Sequence, residues 1–384
     1  MHFPKKHSKD GVTIFTVMSA LAHEHHAINL SQGFPDFQIS EELGCALHEA
    51  TLLGFNQYAP MAGLPLLRNA IAAYFLDRYN TYIDPETEIT ITPGATYGIY
   101  TAFTSFLQYT DEVIVLEPAY DSYIPNIEMN GAKVVPVALN PADFSVDWNK
   151  VNAAITPNTK AIIINSPHNP TGALWTREDY DTLALLIRDT QIIVISDEVY
   201  EQLVFDGHKQ YSVLQHPELR QRSFVVFSFG KVFHNTGWKI GYCIAPPAYT
   251  TAFRRVHQFI SFSVNTPAQY AIAQYLPKLQ QQQVGNMMQQ KRDYFLKLME
   301  QTPFKIRHRS LGSYFQIASY EGMSTMKDTE FAQWLTKEYG VATIPVSAFY
   351  SNQEDNKLLR FCFAKKESTL EEAASRLAAL SVLK

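Results

Sequence analysis

Cysteine is scarce: three residues in 384, at Cys45, Cys243 and Cys362, far apart and without a CxxC pair. That spacing argues against a disulfide scaffold and against a cysteine-ligated zinc site. Charge of one sign is lacking too. Lys and Arg number 32 against 37 Asp and Glu, a net charge of −5. So mild an acidity gives no global attraction to DNA, RNA or an anionic membrane. No apolar run reaches the roughly 18 residues of a membrane span, and no apolar core follows the basic N-terminal residues as in a secretion signal. The expectation is a soluble, reducing, cytoplasmic location with neither nucleic acid nor membrane as partner. Several familiar signatures are missing as well. Gly230-Lys231 is followed by Val232, which breaks a Walker A loop, and His23-Glu24 meets Ala27 where a zinc helix needs His. No GxGxxG opens a helix after the first strand, and no GxSxG elbow is present.

What is present is an apolar fraction of 46% beside 18% charged residues, enough for a sizeable core. At roughly 150 residues per domain, the length suits two domains. Short runs rich in Val and Ile recur at Glu112–Leu116, Ala161–Asn165, Gln191–Ser196 and Phe224–Ser228. Continuous apolar runs of this kind suit strands buried on both faces of a parallel sheet. Helical stretches lie between them, such as Arg177–Arg188 with apolar Leu183, Leu185, Leu186 and Ile187. The alternation predicts an α/β fold, a mostly parallel central sheet with helices on both faces. After about residue 275 the texture changes toward a smaller α+β unit that closes on a helix from Leu370 to Leu383.

Ligands in open α/β sheets bind outside the carboxyl ends of the strands. Three strand exits carry chemistry: Asn165 to Gly172 (NSPHNPTG), Ser196 to Tyr200 (SDEVY), and Ser228 to Lys231 (SFGK). Singly, each has an ordinary reading as a turn, a helix cap or a surface charge. Together, a lysine able to form a Schiff base, a carboxylate, a phenol and an Asn amide suit a cofactor with an aldehyde, a pyridine nitrogen and a phenolic oxygen. Pyridoxal 5′-phosphate has all three. Thr92 to Thr96 (TPGAT) offers amides to its phosphate if it opens a helix.

With these blocks stand INLSQGFPDF (28–37), NQYAP (56–60), PAYDSY (118–123), SFGKVFHNTGWKIGY (228–242) and RFCFAKK (360–366). In this order, over nearly the whole chain, they resemble the fold-type-I, class I/II aminotransferases. Within that family the resemblance is to the methionine aminotransferase group, close to the kynurenine aminotransferases. It implies a large cofactor-binding domain over 33–275, with a small domain from 276–384 and the N-terminal arm 1–32.

The resemblance assigns roles to residues. Lys231 would carry the cofactor aldehyde, and Asp197 would pair with the ring nitrogen. Tyr200 and Asn169 would bond the phenolic oxygen, and Tyr120 would stack on the ring. Ala95, Thr96, Ser228 and Lys239 would cup the phosphate. Tyr58 would reach the phosphate of the neighbouring subunit in a homodimer. Arg360 would grip the substrate carboxylate, helped by Gly33 and Asn169. The implied activity is transfer of an amino group from an amino acid to a 2-oxo acid by ping-pong steps. The segment Phe259–Asn265 holds no cation, and its Ile260, Phe262 and Val264, with Phe15, Phe34 and Tyr120, suggest an apolar side-chain pocket. Methionine or another large uncharged amino acid suits such a pocket. The alternatives are kynurenine transamination and cysteine-conjugate β-lysis at the same site.

Overall fold

The structure is a computed structural model that describes residues 6–8 and 11–380. Its strands, in chain order, are β1 (Ile28–Asn29), β2 (Ile89–Thr92), β3 (Glu112–Glu117), β4 (Lys133–Ala138), β5 (Thr159–Asn165), β6 (Ile193–Asp197), β7 (Ser223–Ser228), β8 (Gly241–Ile244), β9 (Phe315–Ser319), β10 (Val341–Ala342), β11 (Ile344–Pro345) and β12 (Leu358–Cys362).

Seven of them form one sheet in the order β2-β8-β7-β6-β5-β3-β4. The pairings β3–β4, β3–β5, β5–β6 and β6–β7 are parallel. Only β8 runs against both its neighbours. The four Val/Ile-rich runs are the central strands, and nearly every residue in them is buried. Edge strand β4 differs: it is largely exposed, and its Pro136 lacks the N–H that a central strand must donate. One apolar cluster, with Phe75, Phe227 and Tyr242, continues into the small sheet through Phe315 and Phe361. A second cluster, with Phe103, Phe224 and Phe253, forms a separate core. The fold is thus α/β with a mostly parallel sheet.

The helix Arg177–Ile187 shows how sequence sets an element. Thr176 and Asp179 form a reciprocal capping box at its start. Tyr180, Leu183, Ala184 and Ile187 face the core. Leu185, expected among the apolar positions, points to solvent because the 3.6-residue period carries it off that face.

Beyond the large sheet, β11, β12 and β9 pair antiparallel, and Leu359, Phe361 and Phe363 are fully buried as their pattern implied. The N-terminal segment joins this part of the molecule, since β1 pairs parallel with β10. The last helix spans Glu367–Ala378, starting and ending earlier than anticipated. Residues 381–383 of the anticipated helix lie outside the described residues.

Candidate active site

Parallel strands deliver their ends to one rim of the sheet. On that rim β5 ends at Asn165, β6 at Asp197 and β7 at Ser228, with Asn165 level with Asp197. β2 ends at Thr92, and the chain turns through Gly94 into the helix Ala95–Thr104. β8 enters from this same rim because it is reversed, which puts Lys239 there. A cavity of about 420 Å³ lies over the rim. Every residue anticipated to hold the cofactor or the substrate carboxylate, except Tyr58, lines it.

Asp197 is buried, and burial pushes its carboxyl up to about 6. Two donors oppose that shift: the Tyr123 hydroxyl at 2.6 Å from Oδ2 and the Val199 amide at 3.3 Å from Oδ1. Lys231 also favours the charged form. The Asp197 backbone carbonyl takes the Asn165 side-chain amide at 2.8 Å, and Asn165 Oδ1 in turn accepts from the Asn169 amide at 2.8 Å. Two strand exits are therefore fixed to each other by one Asn.

Lys231 lies in the short helix Phe229–Val232 that follows β7. Its Nζ donates to the Gly33 carbonyl at 3.1 Å. Burial lowers the ammonium to about 8, with Arg360 acting in the same direction. Nζ lies 5.5 Å from the centroid of the Tyr200 ring and 5.8 Å from that of Tyr314. Tyr314 donates its hydroxyl proton to the Lys231 carbonyl and packs edge-on to Tyr200 at 5.4 Å. Gly33 has no room for a side chain, as a Cβ there would stand 2.5 Å from the Phe315 ring.

Arg360 projects from the middle strand of the small sheet and is fully buried. Its guanidinium lies 3.9 Å from the centroid of the Phe315 ring, with Phe349 at 5.1 Å and Phe15 at 5.2 Å. Nη1 donates to Asn169 Oδ1 at 2.8 Å and Nη2 to the Ser31 carbonyl at 2.7 Å. Nε is buried with no partner among the described residues. Burial lowers this group to about 10. A buried donor without an acceptor costs about 1–3 kcal/mol, so this fork is set to receive an anion.

At the other end of the cavity the helix Ala95–Thr104 begins at Gly94 with no side-chain cap. Its first amides are free to meet an anion, and the helix dipole favours one. Gly94 has φ +87°, a conformation a side chain resists, and a Cβ there would crowd Lys239 Nζ at 3.3 Å. Lys239 and Ser228 line the same end. Amides, a hydroxyl and a cation suit a phosphate group. The opposite wall supplies a buried carboxylate and a lysine of lowered basicity, which suit a pyridine nitrogen and an aldehyde. Pyridoxal phosphate therefore fits the residues present.

Tyr58 is 83% exposed and packs edge-on against Phe262 at 5.7 Å. Their loops are joined where Ser263 Oγ donates to the Ala59 carbonyl at 3.0 Å. Ile260 and Phe262, anticipated in the pocket, do not line the cavity of their own chain. Ile260 ends the helix Pro247–Ile260, Phe262 follows it, and both are exposed. Phe15, Phe34 and Tyr120 do line it. Tyr123, Tyr314 and Phe315 support the site and were not anticipated. Tyr123 lay within the PAYDSY block, but nothing in its spacing marked it as the partner of Asp197.

Residues 25–377 match the model of the family described as aminotransferase class I and II. The methionine aminotransferase of Escherichia coli strain K12 is 46% identical over 369 residues, covering 96% of this chain and 95% of its own. Kynurenine–oxoglutarate transaminase 1 of Rattus norvegicus is 33% identical, with 96% of each chain covered. The solved structure of YbdL from Escherichia coli, described as having a methionine aminotransferase function, superposes with a TM-score of 0.96 at 45% identity, covering 99% of this chain and 100% of that one. The chain belongs to the class I and II aminotransferases and is a pyridoxal-phosphate-dependent transaminase.

Proposed function

We propose that this transaminase moves the amino group of methionine, or of another large uncharged amino acid, to a 2-oxo acid through two half-reactions at one site. The observation that carries this reading is the pairing of a buried, incompletely satisfied Arg360 with apolar cavity walls from Phe15, Phe34, Ile99 and Phe315. Among the described residues the cations lining the cavity are Lys231, Lys239 and Arg360, each with a place in the scheme below, so none of them remains for a side-chain carboxylate.

Bound pyridoxal phosphate supplies a ring that accepts the electron pair released when the substrate Cα–H bond breaks. Ala95, Thr96, Ser228 and Lys239 would hold its phosphate. Asp197 would pair with the ring nitrogen, and Tyr200 and Asn169 with the phenolic oxygen, while Tyr120 covers a ring face. Arg360 binds the substrate carboxylate in its fork and so orients the Cα–H bond. Lys231 Nζ, as a neutral amine beside the substrate, would take the Cα proton and hold it for return, acting as base and then acid. Its lowered basicity makes the neutral amine available near neutral pH.

The reading extends to assembly. The exposed Tyr58, Phe259, Ile260 and Phe262 support a homodimer in which Tyr58 reaches the neighbouring site. The pairing of β1 with β10 supports a small domain made of 1–32 and 276–384, with 33–275 as the large domain. Three unpaired cysteines support a reducing, cytoplasmic location.

Titration of the holoenzyme with methionine tests the reading. Loss of the cofactor's resting absorbance with stoichiometric appearance of the methionine-derived 2-oxo acid is expected. Pyruvate and ammonia release from cysteine conjugates, without 2-oxo acid exchange, would replace it with the lyase reading.

A further inference from the structure

Phe34 stands where three hollows meet. Its side chain lines the active-site cavity, an open cleft of about 790 Å³ beside the helix Ile14–Glu24, and a third hollow of about 390 Å³ bounded by Asp36, Lys365 and Thr369. Among the residues lining these spaces, Phe34 alone is common to all three. It separates the substrate's space from the outside, yet it is 45% exposed and cannot be held by core packing alone.

The group behind it is Lys365, only 3% exposed. Its Nζ donates to the Phe34 carbonyl at 2.8 Å and lies 4.6 Å from the centroid of the Phe34 ring. One ammonium thus fixes both the backbone and the ring of the same residue. A buried cation is costly unless something engages it. The neighbouring carboxylate is committed elsewhere: Asp36 accepts from the Lys366 amide at 2.6 Å and from Thr369 Oγ1 at 2.7 Å. Those two bonds fasten the segment after Phe34 to the start of the helix Glu367–Ala378. On the other side of Phe34, Gly33 is held by Lys231 and confined by Phe315. The short stretch 33–36 is therefore pinned at both ends, and Lys365 sets where its one large apolar side chain rests.

We propose that Lys365 is a positioning residue that holds Phe34 as the outer wall of the substrate cavity, and so sets the preference for large over small uncharged amino acids. This deepens the substrate reading given above and rests on it. A cation against an aromatic face, shielded from water, contributes enough to shift affinity by about tenfold.

The test is a double-mutant cycle on the holoenzyme with Lys365→Met, Phe34→Ala and both together. Steady-state kinetics with methionine and alanine are read alongside calorimetric binding of 4-(methylthio)butanoate, which lacks the reacting amine. Lys365→Met is expected to raise KM for methionine about tenfold while kcat changes less than about twofold. Weakened binding of the unreactive analogue should match. Lys365→Arg, which keeps a cation, should restore most of the loss. The effect should vanish when Phe34 is already Ala. Additive effects, or equal kcat losses with methionine and alanine, would overturn the proposal. Should Lys365→Met fail to fold, Phe34→Ala decides, because an unchanged methionine-to-alanine ratio also overturns it. A wild-type enzyme that prefers dicarboxylic donors defeats the substrate reading instead. The same cycle, run on the donor it accepts, then still judges whether the two positions act together.

Discussion

Arg360 Nη1 donates to Asn169 Oδ1 at 2.8 Å while its buried Nε keeps an unused proton. Asn169 therefore pre-orients a fork that is not yet filled. A substrate carboxylate would complete it in a shielded setting where charged hydrogen bonds are strong. Arg360→Lys keeps the charge and loses the planar fork. We expect KM for methionine to rise about 100-fold, as truncation of a buried charged pair costs about 2–5 kcal/mol. Pyridoxal phosphate uptake, followed by absorbance, should hold. Equal loss of both would remove Arg360 from the substrate side.

Lys231 should betray its burial through pH. In the cofactor-free protein burial disfavours the ammonium, so the neutral amine appears at lower pH than on an exposed lysine. The rate of borohydride-trapped labelling by a small aldehyde should climb through about pH 8. An exposed lysine would climb near about 10.4. Peptide mapping assigns the label. A midpoint near that of the other lysines would deny the lowered basicity. Lys231→Ala should keep the cofactor non-covalently and lose turnover.

Tyr123→Phe removes the 2.6 Å donor from Asp197 and leaves the carboxylate where it is. The charged form loses support, so its pKa should move above about 6. With Asp197 pairing the ring nitrogen as proposed, cofactor affinity should fall about tenfold at neutral pH, from a charged hydrogen bond of about 1.5 kcal/mol. The loss should deepen as pH drops, with the dissociation midpoint displaced upward relative to wild type. Fluorescence titration across pH reads it. An unchanged pH profile would show that Tyr123 has no influence on Asp197.

Gly94→Ala places a methyl group on a backbone at φ +87° and against Lys239. We expect about 1–2 kcal/mol of lost stability from the left-handed conformation. Weaker binding of the cofactor should follow, because the helix start and Lys239 shift together. Thermal unfolding with and without pyridoxal phosphate separates the two effects.

A subunit carrying Tyr58→Ala and one carrying Arg360→Ala should each be impaired when alone. If Tyr58 serves the neighbour, mixed dimers contain one site with both defects and one with neither, so activity returns on co-refolding. No recovery would confine Tyr58 to its own chain.

The central strands were legible because burial on both faces writes an uninterrupted apolar run, as in Ile162 to Ile164. β4 was not, since an edge strand facing solvent has no such run and its Pro136 reads as a turn. β2 and β8, four residues each, are too short for a period to show. The polar exits Asn165, Asp197 and Ser228 announced the site because parallel strands end together. Tyr123 and Tyr314 stayed hidden: an aromatic residue in a core has the same sequence appearance whether or not its hydroxyl serves a neighbour. Ile260 and Phe262 misled for a related reason, since an apolar residue does not declare which surface it covers.

The reversed strand β8 has a consequence for the spacing of cationic groups. A parallel neighbour would enter from the opposite edge and contribute to this rim only at its far end. Because β8 doubles back, a loop of 12 residues between Ser228 and Gly241 carries both Lys231 and Lys239 to one mouth, eight positions apart. Shortening or lengthening that segment would pull the Lys231 and Lys239 ammonium groups out of step with each other.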